Sequence, residues 1–471
     1  MPALIQPRNP IFVAAIVACA FFMETLDSTV IVTALPRMAQ AFDSSPVRLS
    51  LGLTAYIITL AIMIPASGWI ADRLGTRNVF CAAIGLFTAA SILCGFSNSV
   101  GEFVAARILQ GIGGAMMSPV GRLVVLRSTE RKDLVRVMNF VTLPGLIGPI
   151  VGPPVGGFIT TYLSWRYIFF LNVPVGLFGM VLVFTMIRNY YGATRRPFDR
   201  IGFALNGVAL AALIYGMDLL GNRGADWEGG GLVLIGLAVG AVAIRHATRQ
   251  LHPLVDLSAL RFRTYRAVNA GGSFFRIAIA APTFLMPLLF QVGLGMTAFA
   301  SGLLLLVHAS GDFAAKLVTT RFIRTFGFRA ALVWTTLVFT LSIAACATFT
   351  ETTPLYVILP ILFISGVCRS LQMTAQTSFQ FTEIPSEGVT AASTLSSALL
   401  QVVRAIGVAL AAMMLSLAVA LRGGDSLGLG DFRIGFAGIA VIGLLSLPWY
   451  WPLAPDSGAE LSGHRPRAAR D

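Results

Sequence analysis

The sequence predicts an all-α integral membrane protein, with fourteen transmembrane helices arranged as two six-helix bundles around an inserted helix pair. Three observations lead there. Of 471 residues, 56% are hydrophobic and only 12% charged, with a mean hydropathy of +0.80; soluble globular domains carry about twice that charged share. The apolar residues gather into about fourteen runs of roughly twenty, the length that crosses a hydrocarbon core of about 30 Å at about 1.5 Å per residue. Finally, two short basic segments echo one another: IADRLGTR at 70–77 and FIRTFGFR at 322–329. Gly75 matches Gly327 and Arg77 matches Arg329, although Arg324 stands where the first copy has Asp72.

The first run, near 11–34, is too long for a signal-peptide core and contains Glu24 and Asp27, so it is read as a retained helix. Runs near 47–70, 78–97, 101–126, 136–161 and 167–187 complete a first bundle, residues 1–187. The echo is spaced wider than six helices by about the length of two more, which predicts an insertion between the halves. Residues 188–263 are accordingly read as cytoplasmic linkers around a pair near 201–220 and 229–248. Runs near 267–292, 298–320, 330–349, 354–380, 389–420 and 434–452 form the second bundle, residues 264–452, and 453–471 form a cytoplasmic tail.

A formal charge of +13 would suit a nucleic-acid binder only on a polar domain, and too little polar sequence exists to build one. The basic residues instead report topology. With the N-terminus inside, inward segments hold about 22 of the 34 Lys and Arg residues and outward ones about 6. The inward groups are Arg73 and Arg77; Arg127, Arg131, Lys132 and Arg136; Arg188, Arg195, Arg196 and Arg200; and Arg245, Arg249, Arg261, Arg263 and Arg266. An even helix count places both termini in the cytoplasm.

Catalytic chemistry finds no support. Lys132 and Lys316 do not follow a glycine, which excludes a Walker A phosphate loop and ATP hydrolysis by that route. His246, His252, His308 and His464 form no HExxH pair, and neither a GxSxG elbow nor a GxGxxG loop occurs. The cysteines, Cys19, Cys81, Cys94, Cys346 and Cys368, lie in apolar runs without metal-ligand spacing and are read as small hydrophobes. Neither an enzyme, a cofactor nor a metal site is expected. Transport driven by an ion gradient, or by the substrate's own gradient, remains.

Several motifs carry that reading further. In GWIADRLGTRN, residues 68–78, Gly68, Asp72, Arg73, Gly75 and Arg77 join the second and third helices. Asp72 can pair with a basic group or cap a helix, making a latch that breaks between conformations; a solvated basic loop is the plainer reading. In GPIVGPPVGG, 148–157, Gly148, Gly152, Gly156 and Gly157 recur at helical spacing and admit another helix backbone, while Pro149, Pro153 and Pro154 favour kinks. Either a generic tight contact or a hinge that seals the pathway fits that pattern.

The segment 68–78 resembles motif A of the major facilitator superfamily, RILQGIGGA (107–115) its motif B, GPIVGPPVGG the antiporter motif C, and LDSTVIVTALP (26–36) motif D1. With WRYIFFLNVPVG (165–176) and HPLVDL (252–257), the chain resembles the drug:proton antiporter-2 branch over most of its length. The resemblance implies alternating access between two bundles and efflux of drug-like molecules in exchange for protons across a bacterial inner membrane.

Charges within the membrane cost about 2.5–3.5 kcal/mol each on insertion scales and must face a hydrated cavity or one another. Asp27 and Arg107 lie at similar depth, about 10 Å from the outer ends of their helices, which predicts a contact between them. It is read either as a fixed ion pair or, as the resemblance implies for the D1 acid and motif B arginine, as part of proton coupling. Glu24 lies deeper, where desolvation and a second carboxylate favour the protonated form of an acid, so it is a candidate proton carrier or a hydrogen-bonded cavity residue. His308, Asp312 and Lys316 follow at four-residue intervals, predicting one face on which Asp312 and Lys316 neutralise each other or form a second relay. Arg276, Arg369 and Arg404, with Lys316, outnumber Asp312 and make the second half anion-attracting, unless they serve only as carbonyl caps or snorkel to water.

The expected activity is therefore secondary active, proton-coupled efflux. Glu24, Asp27, Arg107 and Asp312 are the candidate proton-coupling residues, and Arg276, His308, Lys316, Arg369, Gln372 and Arg404 the candidate substrate-binding residues. The family resemblance favours drug-like substrates; the arginines favour organic anions such as citrate or metal-citrate. A non-transporting sensor and a passive channel are remoter readings. The expected partners are a small molecule, protons and lipid, with neither nucleic acid nor ATP, and the expected state is a monomer.

Overall fold

A computed structural model describes residues 10–129, 134–192, 197–223, 227–250, 253–254, 256–385, 389–424, 426–454 and 457–458. The expected tail beyond Pro455, and residues 131, 132, 195 and 196 of the inward basic groups, lie outside them almost entirely. All regular structure among the described residues is helical. The chain divides into two compact units, Met1–Ala211 with Gly236–Leu254, and Ala212–Ile235 with Val255–Asp471.

The first unit holds α1 (Pro10–Ala41), α2 (Pro46–Leu74), α3 (Thr76–Phe96), α4 (Val100–Ser128), α5 (Leu134–Tyr162), α6 (Tyr167–Phe170) and α7 (Asn172–Met186). Local chemistry sets their ends. Ser45 accepts a hydrogen bond from the Arg48 N–H, and Pro46 takes the first helical position, where a missing N–H loses nothing. Ser99 does the same for α4 through the Glu102 N–H, and the Glu102 carboxylate accepts in return from the Asn98 N–H at 2.8 Å. Val17, Phe21, Phe80, Phe87 and Val124 are buried together in the core of this unit.

The second unit runs through a short helix, α10 (Arg263–Arg266), into a π turn at Ala267–Gly271, α11 (Gly272–Leu288) and a second π turn at Leu289–Gly293. It continues through α12 (Ala298–Cys346), α13 (Leu355–Phe379), α14 (Val389–Arg422), α15 (Leu429–Leu444) and α16 (Leu447–Tyr450). Inside α12 the backbone breaks at Gly327, with φ 77° and ψ 166°. Gly75, its partner in the sequence echo, separates α2 from α3 at φ 90° and ψ 137°. Both glycines adopt a positive φ that a side chain resists, so the echo is conformational as well as compositional.

The expected inserted pair forms as α8 (Arg200–Arg223) and α9 (Trp227–Arg249), and the division between the units passes through both. Asp199, just ahead of α8, accepts from the Gly202 and Leu254 N–H groups and meets His246 of α9 at 2.9 Å. Burial raises the Asp199 carboxyl pKa, but these hydrogen bonds outweigh it and hold the group below its ordinary value. Leu234 and Ile244 of α9 are 68% and 59% exposed, an apolar surface fit for lipid rather than water.

Among the described residues, twelve segments are long and apolar enough to cross a membrane. The sequence count of fourteen differs for two reasons. The 29-residue α5 is not among the twelve, and Ala298–Cys346, expected as two runs, counts once despite its break at Gly327.

Candidate functional site

In the first unit the predicted contact forms: Arg107 Nη1 donates to Asp27 Oδ2 at 2.7 Å, with Arg107 0% and Asp27 2% exposed. The pair is embedded in amides that the sequence reading did not single out. Gln110 Nε2 and Asn172 Nδ2 donate to Asp27 Oδ1 at 2.9 and 2.8 Å, and both donate to Ser91 Oγ. Gln110 Oε1 accepts from Arg107 Nη1 at 2.5 Å. A buried ion pair offsets its desolvation only when the remaining lone pairs and protons are satisfied, and these amides do that. On the open side of Arg107, the Tyr56 ring lies 4.2 Å from the guanidinium carbon.

Glu24 takes a different partner. It is half-buried, and Ser118 Oγ of α4 donates to Glu24 Oε2 at 2.5 Å. The two acids thus share a helix face but not a hydrogen-bonding group. Gln110 lies within RILQGIGGA and Asn172 within WRYIFFLNVPVG, so motif membership was the signal that could have flagged them.

Motif C packs on the same stretch of α1. A Cβ at Gly148 or Gly152 would collide with the hydroxyls of Thr25 and Thr29, and at Gly156 it would lie 2.5 Å from the Val30 carbonyl oxygen. Thr29 Oγ1 also reaches the Gly148 carbonyl at 3.4 Å. Asp27 sits between these contacts, so α5 grips the segment that presents it. Pro153 and Gly157 are buried with them.

At motif A, Asp72 pairs with Arg127 of α4 at 2.7 Å rather than with the arginines of its own segment. Arg73 lies over Trp69 and Arg77 over Phe184. The stretch after α7 docks here: Thr76 N–H donates to the Tyr190 carbonyl, Gly192 N–H to the Asp72 carbonyl and Arg77 N–H to Asn189 Oδ1. The Asn189 side chain covers the face of Gly75 where a Cβ would stand, while Gly68 has open space there.

The second unit contains a buried polar group built around Arg276, which is 5% exposed. Its Nε donates to Gln376 Oε1 at 2.9 Å and its Nη1 to Asn269 Oδ1 at 3.1 Å. Asn269 lies in the first π turn, a local widening that often marks functional sites. Gln376 Nε2 donates to Tyr450 Oη, and Ser396 ties Tyr265, Asn269 and Gln380 together. Among the described residues no carboxylate forms an ion pair with Arg276.

Arg369 joins two members of the predicted ladder, reaching His308 Nε2 at 3.4 Å and Asp312 at 3.8 Å, and His308 Nδ1 meets the Leu362 carbonyl. Lys316 does not join: its side chain is exposed, and among the described residues Asp312 pairs with Arg369 instead. Four-residue steps advance about 40° each around a helix of 3.6 residues per turn, so the third member leaves the shared face. Gln372 is fully buried and engaged by Thr335 and Thr336 of α12, and Arg404 is exposed.

The sequence pattern of the Major Facilitator Superfamily matches residues 17–408. The chain belongs to that family. It is 37% identical over 406 residues to the "Putative multidrug resistance protein MdtD" of Escherichia coli O45:K1 (strain S88 / ExPEC), with 85% of each chain covered. The protein of the same name in Escherichia coli O81 (strain ED1a) is 38% identical over the same span. Among solved structures, a bacterial homologue of the human lysosomal transporter Spinster superimposes with a TM-score of 0.67 at 14% identity, covering 94% of this chain and 97% of that one. A D-xylose-proton symporter gives 0.63 at 16%, covering 95% and 98%. The protein is a multi-pass membrane transporter of the major facilitator fold, not an enzyme.

Proposed function

We propose that this transporter is a proton-coupled antiporter exporting small, drug-like molecules across the inner membrane, with fourteen crossings and both termini in the cytoplasm. The Asp27–Arg107 pair carries the reading. It is the one fully buried carboxylate–guanidinium pair among the described residues, and within an apolar bundle a proton is the simplest ligand that can neutralise Asp27. Glu24 and Asp312 are further candidate proton carriers. Motif C supports exchange by gripping α1 on both sides of Asp27, and the name borne by the relatives supports drug-like substrates. Asp72 with Arg127 serves as the latch between conformations, and the protein acts as a monomer.

Arg276 favours a second reading. A buried guanidinium with amide partners and no carboxylate is suited to an anionic substrate such as citrate or metal-citrate. Arg369, only 26% exposed at its side chain, adds a second cation to the same unit. Proteoliposomes with an imposed pH gradient test both. Gradient-dependent movement of ethidium is expected under the first reading, and of citrate under the second, with Arg276→Gln abolishing citrate movement alone. Movement that ignores the gradient, or no movement of either probe, overturns proton antiport.

A further inference from the structure

Protonating Asp27 neutralises the acid but leaves Arg107 charged, since a guanidinium holds its proton throughout the physiological range. Arg107 has no exposed surface, and a buried charge without a partner is strongly unfavourable. Something within the bundle must hold it during the protonated phase. The titratable and charged groups around it are Glu24 and Asp27 on α1, Tyr56 on α2 and Cys94 on α3, while α4 and α7 add the neutral Gln110 and Asn172. Glu24 is engaged by Ser118, and Cys94 contacts Gln110 rather than Arg107. The Gly52 carbonyl stands at the limit of hydrogen bonding, 3.5 Å from Arg107 Nε.

The face of Tyr56 is left. At 4.2 Å its stacking on Arg107 is the closest cation–ring contact among the described residues, and both partners are buried. Attraction between a cation and a ring strengthens when water is excluded. The Tyr56 hydroxyl is buried without a hydrogen-bond partner, so what Tyr56 offers Arg107 in this state comes from the ring. Gly114 of α4 leaves room for that hydroxyl, since a Cβ there would lie 3.0 Å from it.

We infer that Tyr56 is a positioning residue for proton exchange, its ring face retaining the Arg107 guanidinium while Asp27 is protonated. The inference rests on the proton-antiport reading above. The ring makes the protonated state accessible, so its removal shifts proton-driven transport toward more acidic conditions.

The test uses the full chain in proteoliposomes, with ethidium and citrate as probes and the rate followed against external pH. Tyr56→Leu is expected to move the half-maximal pH downward by about one unit, the size of a desolvated cation–ring contact. Tyr56→Phe, which keeps the ring, is expected to retain the wild-type profile. Tyr56→Met, flexible enough to fill the space, replaces the leucine variant if that one does not fold. If wild-type movement of both probes ignores the gradient, or Asp27→Asn stays gradient-driven, the antiport reading falls and this inference with it. If both controls behave as expected but the ring-less variant keeps the wild-type profile, or Tyr56→Phe shifts as far as it does, the role of the ring alone is overturned.

Discussion

Asp27→Ala would leave the Arg107 guanidinium wholly buried with amide oxygens and a ring but no counter-charge. Breaking a buried pair on one side costs about 3–5 kcal/mol, whereas replacing both members by packed neutral residues is often close to neutral. Asp27→Ala should therefore lower the melting temperature in detergent strongly, and Asp27→Ala with Arg107→Met should recover most of the loss. A double variant as unstable as the single one would show that the penalty does not come from the stranded charge. The pair was legible in the sequence because a charge in an apolar run has to be compensated, and counting residues put only a few candidates at the same depth. Its braces were not. Gln110, Asn172 and Ser91 are neutral, cost little wherever they point, and carry no depth signal beyond lying near a charge. Arg127, the partner of Asp72, stayed hidden because several arginines share that end of the bundle and only the path of α4 selects one.

Between elements, the contact of α1 with α5 shows what glycine spacing does in a membrane, where apolar surfaces gain little from meeting each other and close approach has to supply the attraction. The four-residue spacing was readable; which helix it met was not, since a stripe of small residues fits any apolar neighbour. The three contacts also differ in how they would yield. A methyl at Gly148 meets the Thr25 side chain, which can turn aside, whereas at Gly156 it meets the Val30 carbonyl on the backbone of α1. Gly156→Ala is thus expected to cost about 1–3 kcal/mol, the usual range for overpacking a tight core, and more than Gly148→Ala. Melting of the two variants side by side checks the order, and a larger loss at Gly148 would mean that α1 rather than Thr25 gives way. Similar close approach recurs in the second unit, where Gly311 and Gly366 bring the backbones of α12 and α13 together. The failed part of the His308–Asp312–Lys316 ladder belongs to this scale too, because helical drift removes every third member of such a row from its face.

For the whole molecule, the open quantity is how often the chain crosses the membrane, and α12 decides it. A continuous helix of 49 residues would extend about 74 Å at 1.5 Å per residue, more than twice a hydrocarbon core of about 30 Å. With Gly327 turning the backbone near its middle and arginines at 321, 324 and 329 around the turn, the element suits two crossings joined on the cytoplasmic side, as α2 and α3 are joined at Gly75. Basic residues are retained on that side, which gives the two halves of α12 opposite directions. The consequence can be read with reporter fusions. Green fluorescent protein fused after Arg329 and after Asp471 should fluoresce, and alkaline phosphatase fused after Thr350 should be active. One crossing through α12 would instead leave the Thr350 fusion inactive and move the C-terminus to the outer face, so a dark Asp471 fusion together with inactive phosphatase would remove the fourteen-crossing arrangement and, with it, the cytoplasmic placement of the tail.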